Sequence, residues 1–477
     1  MIDPKWEIDE YLEAAAEAGA EIRHVIETHN HADHVSGRCR LSAVTGATAR
    51  IPGDSGDAAV RDGDVVRVGD LELVALASPG HRPEHTAYAA RERGAVRLLL
   101  SGDSLLVGDV ARPDLAVDAG EGAEAMWHTL RRLLALGDHV ELWPAHVGGS
   151  LCASRSASSA TSSTIGHERR SNPLLTLCDP VAFTTELTRR IPARPPNVER
   201  VVGLNLEGAA DPEPLPELDP TALARALEQS VCVLDIRDPQ SFDRGHLEGS
   251  INLPAGSRGL GTRAGWAAGP EPIVLVSASI EAGRKGSELL RAAGVWNLAG
   301  LSVADPLAWR NAGLLVRTAN ALAADRVLPQ IGDRGLTLVD VRDPAEWNDG
   351  HIATSRPLPL AELGDGRDDS LALEPPIAVI CASGVRAAVA ASILRRRGHR
   401  PVWRVTCGVD QLRSWARRSC GSSHEQHGPN RVQARCTRPL AADAAWRTRR
   451  LAHPHGAPLR PGPLPGPGST PPRGRQP

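Results

Sequence analysis

The densest group of residues that could do chemistry is the run His29, His31, Asp33 and His34, in the order His-x-His-x-Asp-His. Imidazole and carboxylate groups are the ligands that transition metals prefer in proteins. No requirement of a helix, strand or turn explains such a density of them. The run therefore predicts a metal site.

Three further residues of ligand type follow the run: His81 in Ser-Pro-Gly-His, Asp103 in Ser-Gly-Asp and His146 in Pro-Ala-His. A single histidine in either context would more often belong to a core or a helix cap. In company with the cluster, we expect all three to reach the same metal site, with Asp103 able to bridge two metals.

This set of ligands allows two chemistries, and ligand identity alone leaves both open. A dinuclear zinc site would activate a bridging water for hydrolysis. A mononuclear iron site would use two histidines and one carboxylate on one face of an octahedron, which leaves three positions for substrate and oxygen.

Short apolar runs predict the elements that position these ligands. Residues 9–18 read as a helix stopped by Gly19, and residues 22–27 as a strand that ends at the cluster. Further strands are predicted at 65–68, 71–76 and 96–100, with glycine and aspartate turns between them. Each ligand is therefore expected on a loop after a strand, where a rigid sheet can aim it.

The ligand pattern resembles the metallo-β-lactamase superfamily, and residues 101–115 resemble its persulfide dioxygenase branch. Over most of residues 2–205, this resemblance implies an α/β fold of the αββα sandwich type. The superfamily usually has a strand pair before a segment like Ile2-Asp3-Pro4, so we expect the sandwich to be short at this end or the chain to start further upstream. The resemblance implies Fe(II), with Zn²⁺ as the alternative, held by His29, His81 and Asp103. It places His31, Asp33, His34 and His146 around the iron as orienting groups or at a second metal position.

An internal repeat occupies the second half of the chain. Asp235-Ile236-Arg237-Asp238-Pro239 is echoed by Asp340-Val341-Arg342-Asp343-Pro344, and Gly245-His246 by Gly350-His351. The pattern resembles the rhodanese family, which implies two small α/β domains with parallel sheets at residues 215–318 and 320–418.

In rhodaneses the catalytic cysteine opens a six-residue loop between a buried strand and a helix. Cys381 to Arg386 matches that loop, whose backbone N–H groups, helix N-terminus and arginine would lower the pKa of the thiol and stabilise a persulfide. The resemblance thus implies a nucleophile at Cys381, assisted by Arg386. The first repeat has Ser277 in place of the cysteine, so we expect it to be inactive.

Composition limits the choice of partners. A net charge of −3 gives no general case for binding nucleic acid or a membrane surface, and the lysines are only Lys5 and Lys285. Eight cysteines without a CxxC pair, no signal peptide and no long apolar run indicate a reducing cytoplasm. Residues 419–477 lose all periodicity and are expected to be a disordered tail. Homo-oligomer formation is left open.

Together these two resemblances imply an enzyme that oxidises a low-molecular-weight persulfide, such as glutathione persulfide, with O2 to sulfite. Cys381 would transfer sulfur between persulfide, sulfite and thiosulfate. Arg112 would contact an anionic substrate or form a structural ion pair, and His24 and His85 are not expected to be ligands. The alternatives are a dinuclear zinc glyoxalase-II-like thioester hydrolase with rhodanese domains, and a truncated product without function.

Overall fold

The computed structural model of the chain describes residues 1–421 except 54–58, 148–149, 151, 154–157, 159, 190, 258, 332–334 and 365–372. Helix α1 (Asp9–Glu17) and strand β1 (His24–Ile26) lie where the sequence predicts them. The elements that follow are α2 (Arg38–Thr45), β2 (Thr48–Pro52), β3 (Ala59–Val60), β4 (Val65–Val68), β5 (Leu71–Ala77), β6 (Thr86–Glu92), β7 (Ala95–Gly102), β8 (Leu105–Leu106), β9 (Asp109–Val110), α3 (Ala119–Leu134), β10 (Glu141–Pro144), β11 (Ser163–Thr164), α4 (Ile165–Ser171), α5 (Pro180–Thr188) and α6 (Val198–Glu207).

Two sheets form the centre of this first segment. Strands β1, β2 and β3 make a parallel sheet, and the other sheet has the order β11-β10-β7-β6-β5-β4. Apolar side chains between the sheets include Ile26, Val66 and Tyr88. Helices α1 and α2 cover one outer face and α3 covers the other. The layers are therefore helix, sheet, sheet, helix, as predicted.

The outer side of β1 is partly covered by the first residues of the chain. Ile2 forms a parallel bridge to Ile26, and the amino group of Met1 donates to the carbonyl oxygen of His24. The Ile-Asp-Pro segment thus lies beside the strand that carries the histidine cluster. This placement brings Asp3 next to the cluster.

The repeat region continues with one further helix before its first strand. Its elements are α7 (Pro220–Leu227), β12 (Cys232–Asp235), α8 (Pro239–Arg244), β13 (His246–Leu247), β14 (Ile251–Asn252), α9 (Leu260–Ala267), β15 (Ile273–Ser277), α10 (Ile280–Ala292), β16 (Leu298–Val303), α11 (Pro306–Asn311), β17 (Val316–Arg317), β18 (Ala321–Leu322), α12 (Ala324–Val327), a 3-10 turn (Leu328–Gln330), β19 (Thr337–Asp340), α13 (Pro344–Asn348), β20 (Arg356–Pro357), α14 (Leu360–Gly364), β21 (Ile377–Ile380), α15 (Val385–Arg396), β22 (Val402–Val405) and α16 (Val409–Gly421).

Each repeat is built on a parallel sheet, with the orders β14-β12-β15-β16 and β18-β22-β21-β19-β20. The repeated Asp-x-Arg motif has the same structural role in both. Asp235 and Asp340 end buried strands, and each carboxylate binds the guanidinium two residues later. Each of those arginines also donates to a glycine carbonyl eight residues further on. The motif therefore ties the strand end to the turn after the next helix.

The described segments belong to one compact unit, Met1–Cys436. The predicted boundaries at 205, 215, 318 and 320 stay predictions. Helix α16 extends to Gly421, so the prediction of a disordered tail is wrong for residues 419–421, and the remainder of the predicted tail, residues 422–477, lies outside the described residues. Among the described residues, no helix is both long enough and apolar enough to span a bilayer.

Candidate metal centre and cysteine loop

Three fully buried side chains converge at the strand ends. His29 follows β1, His81 follows β5 and Asp103 comes directly after β7. Oδ2 of Asp103 lies 3.8 Å from Nε2 of His29 and 3.4 Å from Nε2 of His81. None of these three atoms has a hydrogen-bond partner. Because a buried polar atom without a partner is costly, the arrangement fits a cation held by all three.

The far side of each imidazole is fixed by a hydrogen bond. Nδ1 of His81 donates to the carbonyl oxygen of Arg112 at 2.9 Å. Nδ1 of His29 lies 2.8 Å from the hydroxyl of Thr28, which itself donates to Asp3. Both rings therefore keep the proton on Nδ1 and offer the Nε2 lone pair to the centre. Burial and neighbouring histidines also hold the pKa of His29 well below its ordinary value, which favours the neutral ligand form.

His31 belongs to a different hydrogen-bond network. Its Nε2 lies 2.9 Å from Glu27 and 3.1 Å from Asp3. Burial alone would lower the pKa of His31, but these two carboxylates raise it well above its ordinary value. Only Nδ1 is left without a partner. His31 thus presents Nδ1 towards Asp33 and His34.

His146 joins the triad to the rest of the cluster. Its Nδ1 lies 2.6 Å from Oδ1 of Asp103, and its Nε2 lies 2.8 Å from Oδ2 of Asp33. Burial acts to lower the pKa of His146, yet the two carboxylates raise it well above its ordinary value. Conversely, His146 lowers the pKa of Asp103 against the effect of burial. A second set of donors, with ligand atoms within 4.8 Å of one another, is formed by His31, Asp33 and His34.

In the second repeat, Cys381 directly follows the buried strand β21 and opens a turn into α15. The predicted six-residue loop is shorter than expected, because its last two residues, Val385 and Arg386, already belong to α15. Its Sγ accepts hydrogen bonds from the backbone N–H of Gly384 at 3.1 Å and of Ala387 at 3.4 Å. Gly384 has a φ of +89°, which turns its N–H inwards and is readily reached only by glycine. The loop therefore directs backbone dipoles at the sulfur atom.

Arg386 lies at the start of α15, but its guanidinium pairs with the carboxylates of Glu346 in α13 and of Asp343, the N-cap residue of that helix. It contacts Glu346 at 2.5 Å and Asp343 at 3.2 Å. These ion pairs offset much of the positive charge that the sequence leads one to expect beside Cys381. They also fix the guanidinium in position against the N-terminal end of α13.

The rhodanese-like domain family matches residues 219–302 and 323–414. Over 141 residues the chain is 34% identical to hydroxyacylglutathione hydrolase of Methylobacterium nodulans, covering 28% of this chain and 52% of that protein. It is 29% identical to the mitochondrial persulfide dioxygenase ETHE1 of Bos taurus, covering 37% and 66%. The chain thus spans about half to two thirds of these curated relatives.

The crystal structure of a metallo-β-lactamase from Staphylococcus aureus superposes with a TM-score of 0.57 and 26% identity, over 64% of this chain and 91% of that one. This chain joins a metallo-β-lactamase fold to two rhodanese-like domains. The family match includes the repeat without the cysteine. In that repeat Ser277 donates to the carbonyl oxygen of Ser279, and α10 begins at the very next residue. The rhodanese-like fold is therefore present there without a cysteine loop.

Two further residues, His85 and Cys152, lie at this centre, although the sequence assigned a ligand role to neither of them. His85, which the sequence does not lead us to expect as a ligand, accepts the backbone N–H of Asp103 at Nε2 over 2.9 Å and so helps to position that residue. Cys152 is buried within a group with Asp33 and His146. Burial, followed by Asp33 and Asp103, raises the pKa of the Cys152 thiol well above its ordinary value. Nearness in sequence to His146 was the one available signal for Cys152.

Arg112 is almost completely buried and forms a two-point ion pair with Asp114, both at 2.7 Å. It also donates to the carbonyl oxygen of Pro192. This is the structural ion pair that sequence offered as one of two possibilities. Contact of Arg112 with a substrate stays a prediction.

Proposed function

We propose that this enzyme oxidises the terminal sulfur of a low-molecular-weight persulfide to sulfite. The balanced reaction is RSSH + O2 + H2O → RSH + SO3²⁻ + 2H⁺, in which the sulfane sulfur is oxidised and dioxygen is reduced. The proposed substrate is a glutathione-type persulfide, because relatives include a persulfide dioxygenase and a hydrolase named for a glutathione thioester.

One observation carries the proposal: the three unpartnered ligand atoms are Nε2 of His29, Nε2 of His81 and Oδ2 of Asp103. Two imidazoles and one carboxylate are the donor set of non-haem Fe(II) oxygenases. Fe(II) bound there would supply open positions for the sulfur and for dioxygen. The chain itself holds the two imidazoles neutral and correctly turned, through Thr28 and the carbonyl oxygen of Arg112.

The neighbouring polar groups shape the site around this triad. His31 is held by Asp3 and Glu27, and His146 is held between Asp103 and Asp33. These pairings orient the carboxylate of Asp103 and keep a proton available at His146. We propose that they tune a single metal rather than bind another.

We further propose that Cys381 carries sulfur as a persulfide and exchanges it with thiosulfate, sulfite and thiols. The sulfane sulfur of thiosulfate would form an S–S bond to the Cys381 thiolate while its bond to the sulfite group breaks and sulfite leaves. The N–H groups of Gly384 and Ala387 stabilise the negative charge on the sulfur during this transfer.

The test is oxygen uptake with glutathione persulfide by protein reconstituted anaerobically with iron. We expect His29→Ala to lose iron and uptake. The matched control His24→Ala alters a histidine at the start of the same strand and should keep both. Uptake by the parent that does not exceed that of His29→Ala would refute the dioxygenase.

A second candidate, a dinuclear zinc thioester hydrolase, is favoured by the second donor group of His31, Asp33 and His34. It predicts about two zinc ions per chain and cleavage of S-lactoylglutathione. Metal analysis of freshly purified protein separates the two candidates, because the dioxygenase predicts about one iron and little zinc.

A further inference from the structure

We propose that the repeat without the cysteine forms one wall of the substrate pocket at the metal centre, and that Leu289 of this wall selects the thiol that enters. The identity of the ligand rests on the proposed function. The wall itself rests on hydrogen bonds and packing between α10 and the metallo-β-lactamase fold, and on the lining of the cavity between them.

Helix α10 is joined to that loop by direct hydrogen bonds. The backbone N–H of Val35, next to His34, donates to the carbonyl oxygen of Ala292 at 2.7 Å. The side-chain amide of Asn197 donates to the carbonyl oxygen of Ala293 at 2.6 Å. The last carbonyl groups of a helix have no partner within the helix. Those at the C-terminal end of α10 therefore accept hydrogen bonds from the metallo-β-lactamase fold.

Aromatic packing fixes the same helix from a second side. Trp6 is fully buried, its indole N–H donates to Glu288 at 2.7 Å, and its ring meets Trp296 edge-on at 5.5 Å between centroids. The guanidinium of Arg40 lies 4.5 Å above the ring of Trp6. A fully buried tryptophan thus packs α10 and Trp296 against the N-terminal segment of the chain.

A cavity of about 530 Å³ opens between this helix and the metal centre. Asp33, His34 and His146 border it, with side chains that are 14%, 22% and 17% exposed. Leu289 and Ala292 border it from the side of α10. Because the metal triad is fully buried, the partly exposed side chains of the cluster mark the side from which a ligand arrives.

The lining indicates the class of ligand. Trp6, Tyr11, Leu289 and Ala292 provide apolar lining on the side of α10. The charged groups at the rim are Lys5, which pairs with Glu10 at 3.9 Å, and the carboxylates of Asp3 and Glu7. A thiol on an extended peptide body with both an amino group and carboxylates, such as a tripeptide thiol, complements this mixed lining, because the amino group can meet the carboxylates of Asp3 and Glu7 and a carboxylate can meet Lys5. Leu289 limits the room for the body, whereas a much smaller thiol would not reach the wall.

The test compares Leu289→Trp with the parent for glutathione persulfide and for the smaller cysteine persulfide. We expect KM for glutathione persulfide to rise about tenfold, in the range that overfilling a pocket produces, and KM for cysteine persulfide to change less than threefold. Leu289→Ala should instead reduce the discrimination between the two. Leu307→Trp, at an exposed position of the same repeat, is the control and should behave as the parent. An equal change in KM for both substrates, or no change in either, would contradict the proposal that Leu289 selects the thiol.

A binding measurement separates this proposal from the proposed function. Calorimetric titration of the metal-loaded full chain with S-methylglutathione needs no turnover. Weaker binding to Leu289→Trp supports the wall even if no oxygen uptake is found in the parent. If the parent binds no S-methylglutathione, or if the variant binds it as tightly as the parent, the proposal that α10 forms a wall of the substrate pocket is refuted. Neither result decides the dioxygenase proposal, which the oxygen-uptake test addresses separately.

Discussion

Gly384 provides the most direct test of the cysteine loop. At its φ of +89°, a Cβ atom would meet nothing closer than the carbonyl oxygen of Val405, at 3.9 Å. Gly384→Ala therefore adds no clash with its surroundings and only strains the backbone. A non-glycine residue in the left-handed region costs about 1–2 kcal/mol. We expect the free energy of unfolding to fall by that amount.

The effect on sulfur transfer should be larger than the effect on stability alone explains. If the backbone relaxes to relieve the strain, the Gly384 N–H turns away from Cys381, to whose Sγ it donates at 3.1 Å. A hydrogen bond to a charged group contributes about 1.5–3 kcal/mol. At 1.36 kcal/mol per factor of ten, we expect the cyanide–thiosulfate rate to fall roughly 10- to 100-fold.

Gly398→Ala is the matched control for this prediction. Gly398 follows the other end of α15, has a φ of +93° and has open space around its Cα. It should lose similar stability, measured by denaturant unfolding, and keep the full rate of sulfur transfer. The reasoning fails if the two variants transfer sulfur equally well, or if Gly384→Ala is destabilised without any loss of rate.

Three further predictions concern the repeats. Burial holds the pKa of His246 at about 4, against about 6.5 in the unfolded chain. The free energy of unfolding should therefore fall as the pH drops from 6.5 towards 4, by about 3 kcal/mol at most. His246→Asn should flatten this pH dependence, measured by thermal unfolding at pH 7, 6 and 5. Ser277→Cys should give no cyanide–thiosulfate activity in a Cys381→Ser background, because α10 begins too soon after residue 277 to leave room for a cysteine loop. Measurable activity of this double variant would contradict the prediction. Asp340→Asn should leave the buried Arg342 charge unpaired and cost about 3–5 kcal/mol in urea unfolding, whereas a loss below 1 kcal/mol would show that the pair is not essential.

Sequence patterns were most informative where function requires a fixed spacing or a fixed period. The helix at residues 9–17 and the strands before His29 and Asp103 follow from apolar periodicity, and the structure confirms them. The parallel sheets of the repeats are confirmed as well. The roles of the individual site residues stay predictions.

Contacts between distant parts of the chain could not be predicted in the same way. Trp6 and Glu288 meet across 282 positions, and no local pattern pairs an indole with a carboxylate so far away. The role of His85 depends on a backbone N–H of Asp103, a group that every residue except proline has. The sequence suggests that Arg386 adds positive charge beside Cys381, because the carboxylates that pair with it lie about 40 positions away in the chain. In each case, tertiary packing decides the partner.

The hydrogen bond between Val35 and Ala292 has a consequence for the order of events during synthesis. The ribosome makes the histidine cluster early, but the carbonyl oxygen that holds its loop is made roughly 10–50 s later at ~5–20 residues per second. Until then the backbone N–H of Val35 lacks the acceptor that it has in the folded chain. We therefore expect the proposed metal site to reach its full affinity only after the cysteine-less repeat has been made, so that a nascent chain stalled before α10 holds metal more weakly than the full chain.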